Sequence, residues 1–115
     1  MSTITHDDLG GDLRRIVISG RLDTPGTNLI AARLEELTAV PIKGVVIDLS
    51  TVEFLASTGI GALITSARAV KGRGGRMVLV VGETSTVLLS LQATGIDQLI
   101  PVFRLRADAE KAALA

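Results

Sequence analysis

The chain has 115 residues, with 12 basic and 12 acidic side chains and a hydrophobic share of 47%. That length fits one domain with one core, and the apolar share argues against an intrinsically disordered chain. The charges balance, and there are two Phe with no Tyr or Trp. A nucleic-acid binder needs a basic patch and rings to stack on bases, so that class is not expected.

The sequence has few metal-binding residues, no thiols and no segment that could span a membrane. The sequence has no Cys and one His, His6, so we expect no disulfide, no metal site and no bound cofactor. No segment reaches the roughly 18 consecutive apolar residues of a transmembrane helix. The first residues lack the basic region and apolar run of a signal peptide. We therefore expect a cytoplasmic protein with no membrane insertion.

The first part of the chain predicts an antiparallel strand pair and then a helix. The β-branched run at 13–19 is typical of a strand, and Thr3–Thr5 can pair with it across a turn at 7–12. Thr24 and Pro25 then form a helix-start signature, with Thr24 as the cap. Apolar residues recur at helical spacing from there to Pro41.

The most informative stretch of the chain runs from residue 45 to residue 64. Gly44–Leu49 is a nearly continuous apolar run, typical of a strand buried on both faces. A polar turn containing a solvated Glu53 is expected next, and Ser57 is expected where the following helix starts. The glycine-rich segment 71–75 ends that helix.

The rest of the chain continues the alternation of strands and helices. The predicted elements are a strand at Met77–Val81, a helix from Thr84 or Ser85 to Gly95, a strand at Leu99–Phe103 and a helix at Ala107–Leu114 capped by Asp108. Alternating strands and helices indicate a mostly parallel sheet with crossover helices. We find no linker or internal repeat, so the prediction is one α/β domain.

Ser57 has two interpretations that the residues alone leave open. Its hydroxyl can cap the helix by accepting from the N–H of Gly59 or Ile60. Alternatively it can accept a phosphate, since a helix start tolerates negative charge. Gly59 and Gly61 cost the first turn roughly 0.5–1 kcal/mol each relative to Ala. They also leave the surface around Ser57 open to another backbone or an anion.

Catalysis by Ser57 is not expected. A nucleophilic serine needs a base within reach, and His6 is the only imidazole. Leu55 stands where a Gly-x-Ser-x-Gly elbow needs glycine. Gly59 and Gly61 lack the third glycine of a dinucleotide fingerprint, because position 64 is Ile. We therefore predict a protein that is not an enzyme.

Two carboxylates precede predicted turns or helices. Asp48 ends a buried strand, where parallel sheets present groups to ligands. We favour a simpler role for it as an acceptor that stabilises the turn. Asp23 either caps the first helix or lies on the same sheet edge as Ser57.

Three segments in the same order resemble the signature of the STAS domain, the family of bacterial anti-sigma factor antagonists. They are Asp48-Leu49-Ser50-x-Val52-x-Phe54, then Ser57-x-Gly59-x-Gly61, and before them Gly20-Arg21-Leu22-Asp23. The resemblance covers essentially the whole chain, residues 1–115. It implies an α/β fold: a single STAS-type domain with a mixed four- to five-stranded sheet and about four helices mostly on one face.

The resemblance also implies a function. Such proteins bind an anti-sigma factor that is a serine kinase, and so release a sigma factor. The kinase phosphorylates the serine at the start of the second helix, which falls on Ser57, and a phosphatase reverses this. Thr58 is the lesser candidate. The implied partner-binding residues are Asp23, Leu55, Ala56, Ser57, Thr58, Gly59 and Gly61. A monomer or weak dimer is expected.

Ala56 departs from the family pattern. Family members often carry Asp immediately before the phosphoacceptor, so the departure bears on how efficiently Ser57 is phosphorylated. The alternative reading keeps the fold and makes the chain a STAS subunit of a transporter or stress-sensing complex, with Ser57 unmodified.

Overall fold

A computed structural model describes residues 2–82 and 86–115 and shows a five-stranded sheet with α-helices on both faces. The elements are β1 (Thr3–Leu9), β2 (Leu13–Leu22), α1 (Thr24–Thr38), β3 (Gly44–Leu55), α2 (Ser57–Gly72), β4 (Arg76–Val80), α3 (Thr86–Thr94), a short 3₁₀ helix (Ile96–Gln98), β5 (Val102–Phe103) and α4 (Arg106–Ala113). The predicted start of the third helix at Thr84 or Ser85 lies outside the described residues.

The sheet is mixed, as the sequence predicted. Its strand order is β1-β2-β3-β4-β5. β1 pairs antiparallel with β2, and the other three pairs are parallel. Each parallel neighbour is reached through a crossover helix, which places the carboxyl ends of β2 and β3 side by side.

Two predicted turns are in fact strand. The turn expected at 7–12 is wrong in its first half: β1 continues to Leu9, and Gly10 and Gly11 make the reversal with φ of +73° and +87°. The polar turn expected after Leu49 is also wrong, because β3 continues to Leu55 and Glu53 is an exposed strand residue. Register shifts in the pairing with β2 accommodate this second half of β3.

The two faces of the sheet are covered unequally. The larger core packs α1, α2 and α3 onto one face, through alternate β3 residues such as Val45 and Ile47. Of the described helices, α4 alone covers the other face, where Ala109 and Ala113 pack on Val46 with Val78. Helices mostly on one face are thus confirmed.

The C-terminal elements differ from the prediction in their bounds. The last strand is only Val102–Phe103. Residues 99–101 follow the 3₁₀ helix and are not strand, and Pro101 has no N–H for a ladder. Asp108 was predicted as the α4 cap, and this is wrong: Leu105 is the N-cap and Asp108 lies in the first turn. Among the helices of the described ranges, none combines the length and apolarity needed to cross a membrane.

Candidate functional site

The carboxyl ends of β2 and β3 form the edge of the sheet at which the predicted site residues meet. Leu22 is in register with Leu55, and the N–H of Ala56 donates to the Leu22 carbonyl at 3.0 Å. Each strand runs directly into a helix, β2 into α1 and β3 into α2. Asp23 and Ser57 therefore lie at one edge.

The start of α1 carries a side-chain cap. Asp23 is the N-cap, and its carboxylate accepts from the N–H of Gly26 at 2.8 Å. Thr24, which we predicted as the cap, is instead the first helical residue, followed by Pro25. Both readings of Asp23 hold: it caps the helix and it lies at the edge shared with Ser57.

The start of α2 has no such cap. Ala56 is the N-cap residue and makes no side-chain capping bond. The capping role considered for Ser57 is therefore wrong, because Ser57 is the first residue of the helix. Its side chain is exposed, and within residues 2–82 and 86–115 the hydroxyl has no hydrogen-bond partner. It is a free hydroxyl at the positive end of a helix dipole.

The two glycines after Ser57 do different things. Gly59 is buried, and a Cβ there would lie 2.8 Å from Leu55 Cδ1 and 3.0 Å from Leu22 Cβ. Its missing side chain lets α2 approach the ends of β2 and β3. Gly61 is exposed, and a Cβ there would meet nothing within 4 Å. Gly61 therefore fits the open surface expected around Ser57, whereas Gly59 is needed for packing.

An aromatic residue and a cation beside this edge were missed by the sequence reasoning. Arg21 pairs in register with Phe54, and its guanidinium lies over the Phe54 ring at 4.6 Å from the centroid. Arg21 also lies 3.7 Å from the Asp23 carboxylate. Phe54 is 41% exposed. The sequence could have pointed to Arg21 and Phe54, since both residues lie in the segments that carry the family resemblance.

Asp48 is a structural acceptor, as we favoured, but the turn that it was expected to stabilise is part of strand β3. Its carboxylate accepts from the backbone N–H and hydroxyl of Ser50 and from Arg106 of α4, the last at 2.6 Å. Burial raises the pKa of Asp48, but these hydrogen bonds and the Arg106 charge outweigh it and hold that pKa below its usual value. Asp48 therefore anchors α4 and lies on the sheet face away from α2.

His6, which could serve Ser57 as a base, lies far from it in the structure. His6 pairs with Ile16 in the β1–β2 ladder. That is six strand residues from Leu22, or roughly 20 Å at about 3.3 Å per residue. In the described parts of the chain, no three His, Asp or Glu side chains are grouped as a metal site. What this edge offers is an unpaired hydroxyl, free helix N–H groups and a small exposed surface.

Comparison with known proteins identifies the fold family. The model of the STAS domain family matches residues 9–109, so the chain belongs to the STAS domain family. No relative was found among curated proteins.

Solved structures agree over nearly the whole chain. An anti-sigma factor antagonist from Mycobacterium paratuberculosis is 25% identical with a TM-score of 0.89, covering 100% of this chain and 96% of that one. The phosphorylated form of the Bacillus cell fate determinant SpoIIAA is 16% identical with a TM-score of 0.69, over 96% and 98% of the two chains. The murine anion transporter Slc26a9 is 18% identical with a TM-score of 0.74, covering 90% of this chain and 18% of the transporter.

Proposed function

We propose that this protein is an anti-sigma factor antagonist that is switched by phosphorylation of Ser57. In its unmodified form it binds an anti-sigma factor with serine kinase activity, and so releases a sigma factor for transcription. The kinase then phosphorylates Ser57, and the complex dissociates. A phosphatase restores the binding form. The antagonist itself performs no catalysis and uses no cofactor, and the cycle runs in the bacterial cytoplasm.

The observation that carries this proposal is the free hydroxyl of Ser57 at an uncapped helix start. A kinase has to reach its target oxygen, and Ser57 is exposed with no internal hydrogen bond to break among the described residues. The similarity over the full chain to an anti-sigma factor antagonist supports the partner class. Phosphorylation of a related fold supports the modification.

The proposed partner surface combines contact residues with residues that shape them. Thr58, Gly61 and the half-buried Ala56 and Asp23 can touch a partner directly. Leu55 is 5% exposed and Gly59 is also buried. We therefore propose that Leu55 and Gly59 do not touch a partner. They hold α2 against β2 and β3 in the position that the partner recognises.

The switch then follows from electrostatics. A phosphate on Ser57 adds about −1.5 to −2 charges and three acceptor oxygens. Arg21, the cation found at this edge, already lies over Phe54 and beside Asp23. A phosphate that a partner covers without supplying a cation costs several kcal/mol, and each 1.4 kcal/mol is tenfold in affinity.

A second candidate function is favoured by the similarity to the anion transporter, of which the matched part is 18% of the length. Ala56, in place of the family's frequent Asp, also fits a copy whose Ser57 is not modified. In that case the chain is a STAS subunit of a transporter or stress-sensing complex.

The two candidate functions are distinguished by incubating the protein with the cognate anti-sigma kinase and ATP and then analysing its peptides by mass spectrometry. We expect one phosphate, located on Ser57. It should be lost in Ser57→Ala and kept in the matched variant Thr58→Ala, since both hydroxyls are exposed on the same helical turn. Phosphate on Thr58 alone, or none on a protein that still binds its partner, would contradict phosphorylation at Ser57.

A further inference from the structure

The second half of α2 borders a groove at the opposite end of that helix from Ser57. The groove has a volume of about 540 Å³ and lies between α2 and the segment 99–101, beside the start of β4. Its lining includes Ile64, Ala67, Arg68, Lys71, Met77 and Ile100. That volume is within the range of about 300–1,000 Å³ typical of small-molecule sites.

The groove exists because β5 is short. β4 is in register with β5 only at Leu79 and Val80. The residues of β4 before Leu79 therefore have no β5 neighbour, and Pro101 has no N–H with which to extend the ladder. Residues 99–101 connect the 3₁₀ helix to β5 without being part of the sheet, and the gap between them and α2 forms the groove.

The floor is apolar. Met77 is 5% and Ile100 is 2% exposed, and the half-buried Ile64 and Ala67 face them from α2. Leu99 stands at the mouth with 68% of its surface exposed. Ligand sites are typically apolar cavities of this kind with a few polar groups that fix orientation.

The rim is positive although the protein as a whole is neutral. Among residues 2–82 and 86–115, the lining contains Arg68, Lys71 and Arg76 and no carboxylate, in a chain whose formal net charge is zero. Arg76 donates to the Ala112 carbonyl at 3.3 Å. Arg68 and Lys71 have no ion pair or hydrogen bond to any side chain of the described ranges.

Interaction with the dipole of α2 does not explain why both Arg68 and Lys71 are present. Cations near the last turn favourably complement the helix dipole, and Arg73 already does this by donating to the Ala69 carbonyl at 2.9 Å. Arg68 and Lys71 are instead spaced with Ile64 and Ala67 at i, i+3, i+4 and i+7, on the one stripe of α2 that lines the groove.

We propose that this groove binds a small amphipathic anion, with an apolar body on the Met77–Ile100 floor and a carboxylate or phosphate at Arg68 and Lys71. The charge of the rim selects an anion, and the apolar floor selects one with a hydrocarbon body. The limited volume favours a small molecule over a folded partner. This site is separate from the Ser57 edge, so it does not depend on the proposed partner switch.

The test uses the full-length protein and octanoate as the probe, followed by two-dimensional ¹H–¹⁵N NMR. Saturable shifts should cluster at residues 64–71 and 99–101, and acetate, which has the charge without the chain, should produce none. Arg68→Gln with Lys71→Gln should weaken octanoate binding about tenfold, since the contact with each of these exposed cations contributes a few-fold. Leu99→Glu puts a carboxylate at the exposed mouth and should abolish binding.

Lys111→Gln is the matched control. Like Lys71, Lys111 lies in the last turn of its helix, so its loss removes the same helix-dipole contribution without touching the groove. Its octanoate affinity should equal that of the wild type. Shifts outside the groove, equal binding by the Arg68/Lys71 double variant, or saturation by an acidic peptide but not by octanoate would each overturn the proposal.

Discussion

The starts of α1 and α2 lie at the same edge of the sheet and are built on the same plan with one difference. Each helix follows directly on a parallel strand, and each has glycine at its third residue, Gly26 and Gly59. The N-cap backbones also match, with φ and ψ of −77° and −175° at Asp23 and −91° and 173° at Ala56. Only α1 has a side-chain cap.

The start of α1 is therefore stabilised by a side-chain cap, whereas the start of α2 has none. The Asp23 carboxylate satisfies the N–H of Gly26, and such a cap contributes about 1 kcal/mol. The backbone at Ala56 would accommodate the same cap but carries only a methyl group. The N–H groups and the Ser57 hydroxyl at the start of α2 thus remain available to another molecule.

The largest effect is expected from substituting the two matched glycines. A Cβ at Gly26 would lie 1.9 Å from the Arg21 carbonyl oxygen, whereas a Cβ at Gly59 would lie 2.8 Å from the movable Leu55 Cδ1. Gly26→Ala should therefore cost more than about 3 kcal/mol, and Gly59→Ala about 1–3 kcal/mol, by overpacking. Chemical denaturation measures both.

Gly61→Ala is the control for these variants. A Cβ there would meet nothing within 4 Å, so the better helix propensity of Ala should raise the free energy of unfolding by about 0.5–1 kcal/mol. Equal stability of all three variants would show that the close approach of the glycines does not matter.

Removal of the existing cap should have an intermediate effect. Asp23→Ala leaves the N–H of Gly26 without its acceptor, and we expect a loss of about 1 kcal/mol in the free energy of unfolding. Asp23→Asn keeps an acceptor oxygen and should lose less. If Asp23→Ala is as stable as the wild type, then the two helix starts do not differ in stability as described.

The smallest effect, and the most informative about the open start, is expected from Ala56→Asp. The extended backbone at Ala56 resembles that of Asp23, so the new carboxylate should cap α2 and add about 0.5–1 kcal/mol to the free energy of unfolding. Ala56→Leu, which cannot cap, is the control for the added bulk. No gain in stability would show that the geometry at Ala56 does not permit a side-chain cap.

The sequence predicted most of the fold, and its errors have physical causes. The second half of β3 resembled a turn because Ser50, Thr51 and Glu53 are polar. They are strand residues, and Ser50 is held by the Asp48 carboxylate while Thr51 bonds to Ser19 at 2.6 Å. The polar residues of this part of β3 are exposed, so their polarity reflects exposure and not chain reversal.

Asp23 and Ser57 lie at one edge of the sheet, as one interpretation of the sequence had it, but the capping of the two helices could not be predicted from residue types. A serine before a helix suggests a cap, yet the cap position is Ala56, because the strand continues to Leu55. The placement of α4 on the second face was also hidden. Its buried residues, Ala109 and Ala113, are small, and an Ala-rich pattern does not show which face it covers.

Switching by phosphorylation of Ser57 is tested most directly by the affinity for the cognate anti-sigma factor. It should be measured by calorimetry before and after stoichiometric phosphorylation of Ser57. We expect at least a hundredfold loss of affinity on phosphorylation, since a phosphate that the partner covers without supplying a cation costs several kcal/mol and each 1.4 kcal/mol is tenfold. Phosphatase treatment should restore the original affinity. Equal affinity of the phosphorylated and unphosphorylated forms would show that phosphorylation of Ser57 does not control binding.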